Sequence, residues 1–207
     1  MDQVQNKVNV GSHARSIAFI ALTVAIMAVS AWVTIPIGPI PVTLQMFAVT
    51  FAIVVLSPKE SIIAIACYLA LGAVGVPVFS GMRGGIGVLA GPTGGFLWGY
   101  LIGVAAAALL LWVVRGHVSA KAAREQAEAA GKGIAGWLRA FAFEILAGVL
   151  FTVISYVCGC VQYMAVAGVG PLEAIAVCVA PFVIIDFCKI LAAVACANAV
   201  LRAVPSK

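Results

Sequence analysis

Apolar residues run almost unbroken along this chain, and short clusters of proline, glycine and charge divide them. The first run extends from Ser16 to about Thr34 and follows a polar tail, residues 1–15. A short second run covers Thr43 to Leu56, and a third covers residues 61–76. The fourth spans about Gly94 to Val114, the fifth residues 140–167, and the sixth lies within 173–202, bent near Pro181. A helix needs about 20 apolar residues to cross a hydrocarbon core of ~30 Å, so the pattern predicts an all-α integral membrane protein of six transmembrane helices in one domain, residues 1–207. Met27-Ala-Val-Ser-Ala31 has the form of a leader-peptidase site. The length of the run around it and the five that follow favour a retained first helix.

The interruptions are as informative as the runs. Ile35-Pro-Ile-Gly-Pro-Ile-Pro-Val-Thr43 places three prolines and a glycine in nine residues, which excludes a helix and predicts a stiff extended loop. Ser57-Pro-Lys-Glu60 reads as a tight turn with Pro58 at a helix start. Residues 77–95 hold seven glycines and two prolines, a compact loop whose backbone can approach a ligand closely. Residues 115–139 form the one long polar stretch, with a short surface helix expected in its alanine-rich middle, and Gly168-Val-Gly-Pro171 turns the chain.

Composition supports the same class. The chain is 64% hydrophobic and 9% charged, with a mean hydropathy of +1.18, where soluble proteins are about 25% charged. The net charge of +5 then bears on topology, and nothing points to nucleic acid. Six spans put both termini on one side. Lys7, Arg15, Lys59, Arg115, Lys121, Arg124, Lys132, Arg139, Arg202 and Lys207 fall on that side, Arg83 falls opposite, and Lys189 lies within a span. The positive-inside rule therefore predicts cytoplasmic termini, tail and 115–139 loop. The six cysteines sit in apolar segments without metal-site spacing, and the two histidines flank basic segments, so no metal site is expected. Gly85-Ile-Gly87-Val-Leu-Ala90 fits a relaxed dinucleotide fingerprint but lacks a βαβ frame, and no Walker sequence occurs.

Candidate chemistry concentrates in Pro181-Phe-Val-Ile-Ile-Asp186-Phe-Cys-Lys189, where an acid and a base share one helical face inside lipid-length sequence. Each charge there costs roughly 2.5–3.5 kcal/mol on insertion scales, so the pair marks either a ligand site or an ion pair that locks two helices. The sixth helix enters from outside, as do the proline-rich 1–2 loop and the glycine-rich 3–4 loop. This predicts an outward pocket capped by both loops. Arg83, or the fourth helix N-terminus at Thr93, would hold an anion in it; the plainer roles are headgroup contact and helix capping. Asp186 accepts from N–H groups while Lys189 donates to a carbonyl, a combination suited to a urea or amide. An embedded enzyme using this acid and base is the alternative, but the spans offer few further catalytic groups. Glu144 is placed to pair with Arg139 on an adjacent face. Ala14, Ala18, Ala21, Ala25 and Ala28 make a stripe of small residues on the first helix, suited either to internal packing or to a partner.

Three blocks carry a resemblance to a known family: Ile35-Pro-Ile-Gly-Pro-Ile-Pro-Val-Thr43-Leu-Gln45, Gly75-Val-Pro-Val-Phe-Ser-Gly81 with Gly91-Pro-Thr-Gly-Gly95, and Pro181 through Lys189. The chain resembles the BioY family, the substrate-binding membrane subunits (S-components) of energy-coupling-factor biotin transporters. The resemblance implies high-affinity biotin binding from outside, in a bacterial inner membrane, with biotin as cargo and no cofactor or enzymatic activity. It assigns binding to Asp186 and Lys189, and less sharply to Ser80, Gly81 and Arg83, with Thr43 and Gln45 in the first block. A coupling membrane protein and two ATPase subunits, or self-association, would complete the transporter, with Ala14, Ala18, Ala21 and Ala25 as the docking face. Transport of another vitamin is the nearest alternative.

Overall fold

The computed structural model describes residues 2–116, 118, 122 and 133–203. Among these, eight helices and one two-stranded ribbon follow in order: α1 (Asp2–Trp32), β1 (Thr34–Ile35), β2 (Val42–Thr43), α2 (Gln45–Val55), α3 (Pro58–Ala73), α4 (Ile86–Ala90), α5 (Gly94–Val114), α6 (Gly133–Ala167), α7 (Pro171–Cys178) and α8 (Val183–Ala203). Lys121, Arg124 and Lys132, with the surface helix expected around them, lie outside the described residues.

Four helical segments are long and apolar enough to cross a membrane: His13–Trp32, Gly94–Val114, Ala140–Ala167 and Val183–Ala203. At 1.5 Å per residue the 11 residues of α2 and the 16 of α3 are shorter than a ~30 Å core. The distribution of side chains is that of a membrane protein. Ile17, Leu22, Ile102, Leu109, Val157 and Ile184 are exposed, while Gln45, Thr50, Glu144, Ser155, Asp186 and Asn198 are buried.

Three expectations change. The polar residues before Ser16 extend α1 rather than forming a separate tail, because nothing between Asp2 and Ser16 breaks a helix. The proline-rich segment is not a free extended loop; its ends pair as antiparallel strands, Thr34 with Thr43 and Ile35 with Val42, and the prolines sit between them where no ladder N–H is needed. The sixth run is not one bent helix. Pro181 has no N–H to continue α7 and its ring would clash with the preceding turn, so the chain stops at Cys178 and starts again at Val183.

Packing is closest between α5 and α6. A side chain at Gly95 would meet the Cys158 carbonyl, one at Gly99 the Ser155 Cα at 2.7 Å, and one at Gly103 the Phe151 ring at 2.9 Å. Glycine at every fourth position lets the two backbones touch, which is how helices associate where lipid removes the hydrophobic driving force. At the far end of the bundle, Ser57 and Glu60 cap α3 reciprocally behind Pro58. Nearby, Glu144 of α6 accepts from Arg115 at 3.1 Å and from Asn198 of α8 at 2.7 Å. The Arg139 side chain expected to pair with Glu144 lies outside the described residues.

Candidate ligand-binding site

At the other end the helices splay around a cavity of about 680 Å³, open solvent at its mouth included. The ribbon supplies Val42 and Thr43, the start of α2 supplies Gln45 and Met46, and the glycine-rich loop supplies Phe79, Ser80 and Arg83. The first turns of α5 contribute Thr93, Phe96 and Tyr100; Tyr156, Cys178, Phe182, Asp186 and Lys189 close the far wall.

Asp186 stands in the first turn of α8, where the break at Pro181 has created a helix N-terminus inside the protein. The helix dipole there favours a carboxylate. Lys189 Nζ donates to Asp186 Oδ1 at 2.8 Å, and Tyr156 of α6 donates its hydroxyl to Oδ2 at 2.7 Å. Asp186 is buried, at 3% exposure. The ion pair lies within one helix, so it does not itself lock two helices together; at this end of the bundle the Tyr156 hydrogen bond links α6 to α8. Each carboxylate oxygen has one of these partners and keeps acceptor capacity, and Lys189 keeps donors.

The remaining polar residues divide. Gln45 is buried and donates from Nε2 to the Tyr68 hydroxyl at 2.8 Å, and Tyr68 donates to the Val78 carbonyl at 2.8 Å. Thr43 lines the cavity and accepts from the Gln45 backbone N–H at 3.3 Å. Ser80 Oγ lies 3.4 Å from Thr34 Oγ1, joining the ribbon to the loop. Arg83 stays exposed at the mouth, its Nε donating to the Ser80 carbonyl at 3.1 Å. The Thr93 hydroxyl makes no capping bond to α5. Gly81 does not line the cavity: with Met82 it forms the tip between Phe79 and Arg83, both at positive φ (71° and 57°). Gly85 precedes the short α4, without the strand a dinucleotide site requires. Among the described residues no cluster of histidine, cysteine and carboxylate could hold a metal.

The BioY family model matches residues 3–206. This chain belongs to the BioY family. The biotin transporter BioY of Thermotoga maritima is 48% identical over 86 residues, 42% of this chain and 51% of that one. Biotin transporter BioY2 of Lactococcus lactis is 52% identical over 87 residues, 42% and 48% of the two chains. The Rhizobium etli biotin transporter BioY is 33% identical over 132 residues, 64% and 63%. The matched segment thus covers about half the length of the first two relatives. The crystal structure of an S-component for biotin from an ECF-type ABC transporter superposes with a TM-score of 0.73, covering 93% of both chains at 22% identity, and so shares the fold.

Within this BioY fold Ala14, Ala18, Ala21 and Ala25 are exposed on α1, while Ala28 turns into the core. Tyr156 and Tyr68 are the residues that sequence reading missed. Both lie in apolar runs without a local motif, and only the register between helices brings one to Asp186 and the other to Gln45.

Proposed function

We propose that this chain is the biotin-binding membrane subunit of an energy-coupling-factor transporter, working in a bacterial inner membrane. The observation that carries the reading is the ion pair of buried Asp186 and part-buried Lys189, braced by Tyr156, in the wall of a cavity in a BioY-family chain. A ureido ring offers N–H groups to Asp186 and a carbonyl to Lys189, and Arg83 at the mouth is the cation best placed for a carboxylate. Ser80, Thr43, Gln45 and Thr93 supply the remaining polar wall, and Gly81 shapes the loop behind Ser80. The bundle crosses the membrane six times, α2 and α3 as its short spans and α7 as part of the outer wall. The positive-inside count puts the termini in the cytoplasm and the cavity outside. Asp186 and Lys189 bind and have no catalytic role. Titration of the purified protein with biotin, riboflavin and thiamine tests the reading. Heat on biotin alone supports it, and heat on another vitamin in its place ends it.

For the partners, the exposed alanine stripe on α1 is the proposed docking face for a coupling membrane protein that works with two ATPase subunits. Ala21→Trp or Ala25→Trp is expected to leave biotin binding intact and to abolish energised uptake. Binding and uptake falling together with folded protein would make the stripe ordinary packing.

A further inference from the structure

The chain Gln45–Tyr68–Val78 carries more than a structural hydrogen bond. Tyr68 has a single hydroxyl proton, and the Val78 carbonyl, which can only accept, takes it at 2.8 Å. The Tyr68 oxygen is therefore left as an acceptor, so Gln45 must present its N–H side, at 2.8 Å. This settles an amide orientation that the cavity would otherwise leave free. Gln45 lines the cavity, and its Oε1 has no partner among the described residues. With one Nε2 hydrogen given to Tyr68, Oε1 is the acceptor that Gln45 keeps for a guest in the cavity. At its other end Tyr68 fixes the root of the glycine-rich loop. Its ring packs edge-on against Phe79, centroids 5.5 Å apart at 73°, and Phe79, Ser80 and Arg83 line the cavity immediately beyond Val78. Tyr68 is itself fully buried and touches none of the cavity.

We infer that Tyr68 is a positioning residue: it orients Gln45 as an acceptor of a ligand N–H, and it anchors the loop that brings Phe79, Ser80 and Arg83 to the ligand cavity. The ligand half of the inference rests on the biotin reading; the loop half does not. Tyr68→Phe keeps the ring against Phe79 and deletes both hydrogen bonds. Two measurements on protein in lipid nanodiscs decide the matter. In ligand-free protein, the paired Phe79 and Arg83 amides should exchange hydrogen about tenfold faster in Tyr68→Phe than in the wild type. Gln45→Met removes the donor to Tyr68 but leaves the bond to Val78, so it should not speed that exchange. With biotin, Tyr68→Phe should raise the dissociation rate about tenfold, and in a Gln45→Met background the same change should add less than about twofold. Unchanged loop exchange in Tyr68→Phe, equal acceleration in Gln45→Met, or full multiplication of the two effects on dissociation would each overturn the inference. A wild type that does not bind biotin would instead refute the transport reading, and the exchange arm would still decide the role of Tyr68 at the loop.

Discussion

Helices α6 and α8 meet at two polar contacts, one at each end of the bundle, and the two are built to different ends. Tyr156 bonds Asp186 at the cavity, while twelve residues along both helices Glu144 bonds Asn198. At 1.5 Å per residue the contacts are ~18 Å apart. Both carboxylates are buried, at 3% and 1% exposure. Glu144 is sealed: Arg115 takes one oxygen and Asn198 the other, Arg115 also reaches the Val54 carbonyl, and Asn198 the Val194 carbonyl. Asp186 has a partner on each oxygen but faces open cavity volume. A buried charge that is fully enclosed by protein holds helices in register; one that opens on a cavity keeps capacity for a guest. The same residue type at two points on one helix pair therefore carries different consequences when removed.

The largest effect is expected at the sealed end. Glu144→Ala removes the acceptor that Arg115 and Asn198 share, and breaking a buried pair costs about 3–5 kcal/mol. Thermal unfolding should show a steep drop in stability, and the fraction that folds should bind biotin with wild-type affinity. A variant that folds normally and binds poorly would erase the distinction between the two ends. At the cavity end the signs reverse. Asp186→Asn and Lys189→Met should each weaken biotin binding at least about tenfold, or 1.4 kcal/mol, with folded yield retained. A double-mutant cycle reads their coupling, and lost folding with normal affinity in what remains would move Asp186 into the structural class. Tyr156→Phe should cost less, about 0.5–1.5 kcal/mol of affinity, because Lys189 still holds the carboxylate. Calorimetry on the three variants should rank them in that order.

How far this was legible in the sequence follows from the range of the interactions. The limits of α5 were readable because the apolar run is bounded by Thr93-Gly-Gly before it and by the polar stretch from Arg115 after it, and the structure begins and ends that helix at Gly94 and Val114. Asp186 and Lys189 were readable because i,i+3 geometry is local and charge in lipid is costly. The family blocks added loop residues, of which Ser80, Arg83, Thr43 and Gln45 reach the cavity and Gly81 does not. What sequence does not encode locally is register between distant helices. Hence Tyr156, thirty residues from Asp186, and Arg115, twenty-nine from Glu144, could not be assigned to their partners. Pro181 announced a disturbance, but whether a helix kinks or divides depends on what packs around it.

A third carboxylate, Glu60, sharpens the comparison because it sits half-exposed at the rim near the sealed end. Its Oε1 accepts from Ser16 of α1 at 2.6 Å, and its Oε2 caps α3 through the Ser57 hydroxyl at 2.7 Å and backbone N–H at 3.0 Å. Partial burial works to raise its pKa, but the hydrogen bonds from Ser16 and Ser57 and the charge of Arg15 outweigh it and hold the carboxyl below its ordinary 4.5. A group whose folded pKa is depressed stabilises the fold above its unfolded value and loses that contribution as pH falls through the folded value. Here the contribution joins α1, which carries the exposed alanines, to α3. Ser16→Ala should therefore lower Tm slightly at neutral pH, and the gap to the wild type should close as pH falls through the depressed pKa of Glu60. A gap that persists unchanged into acid would mean that the Ser16 contact is packing alone.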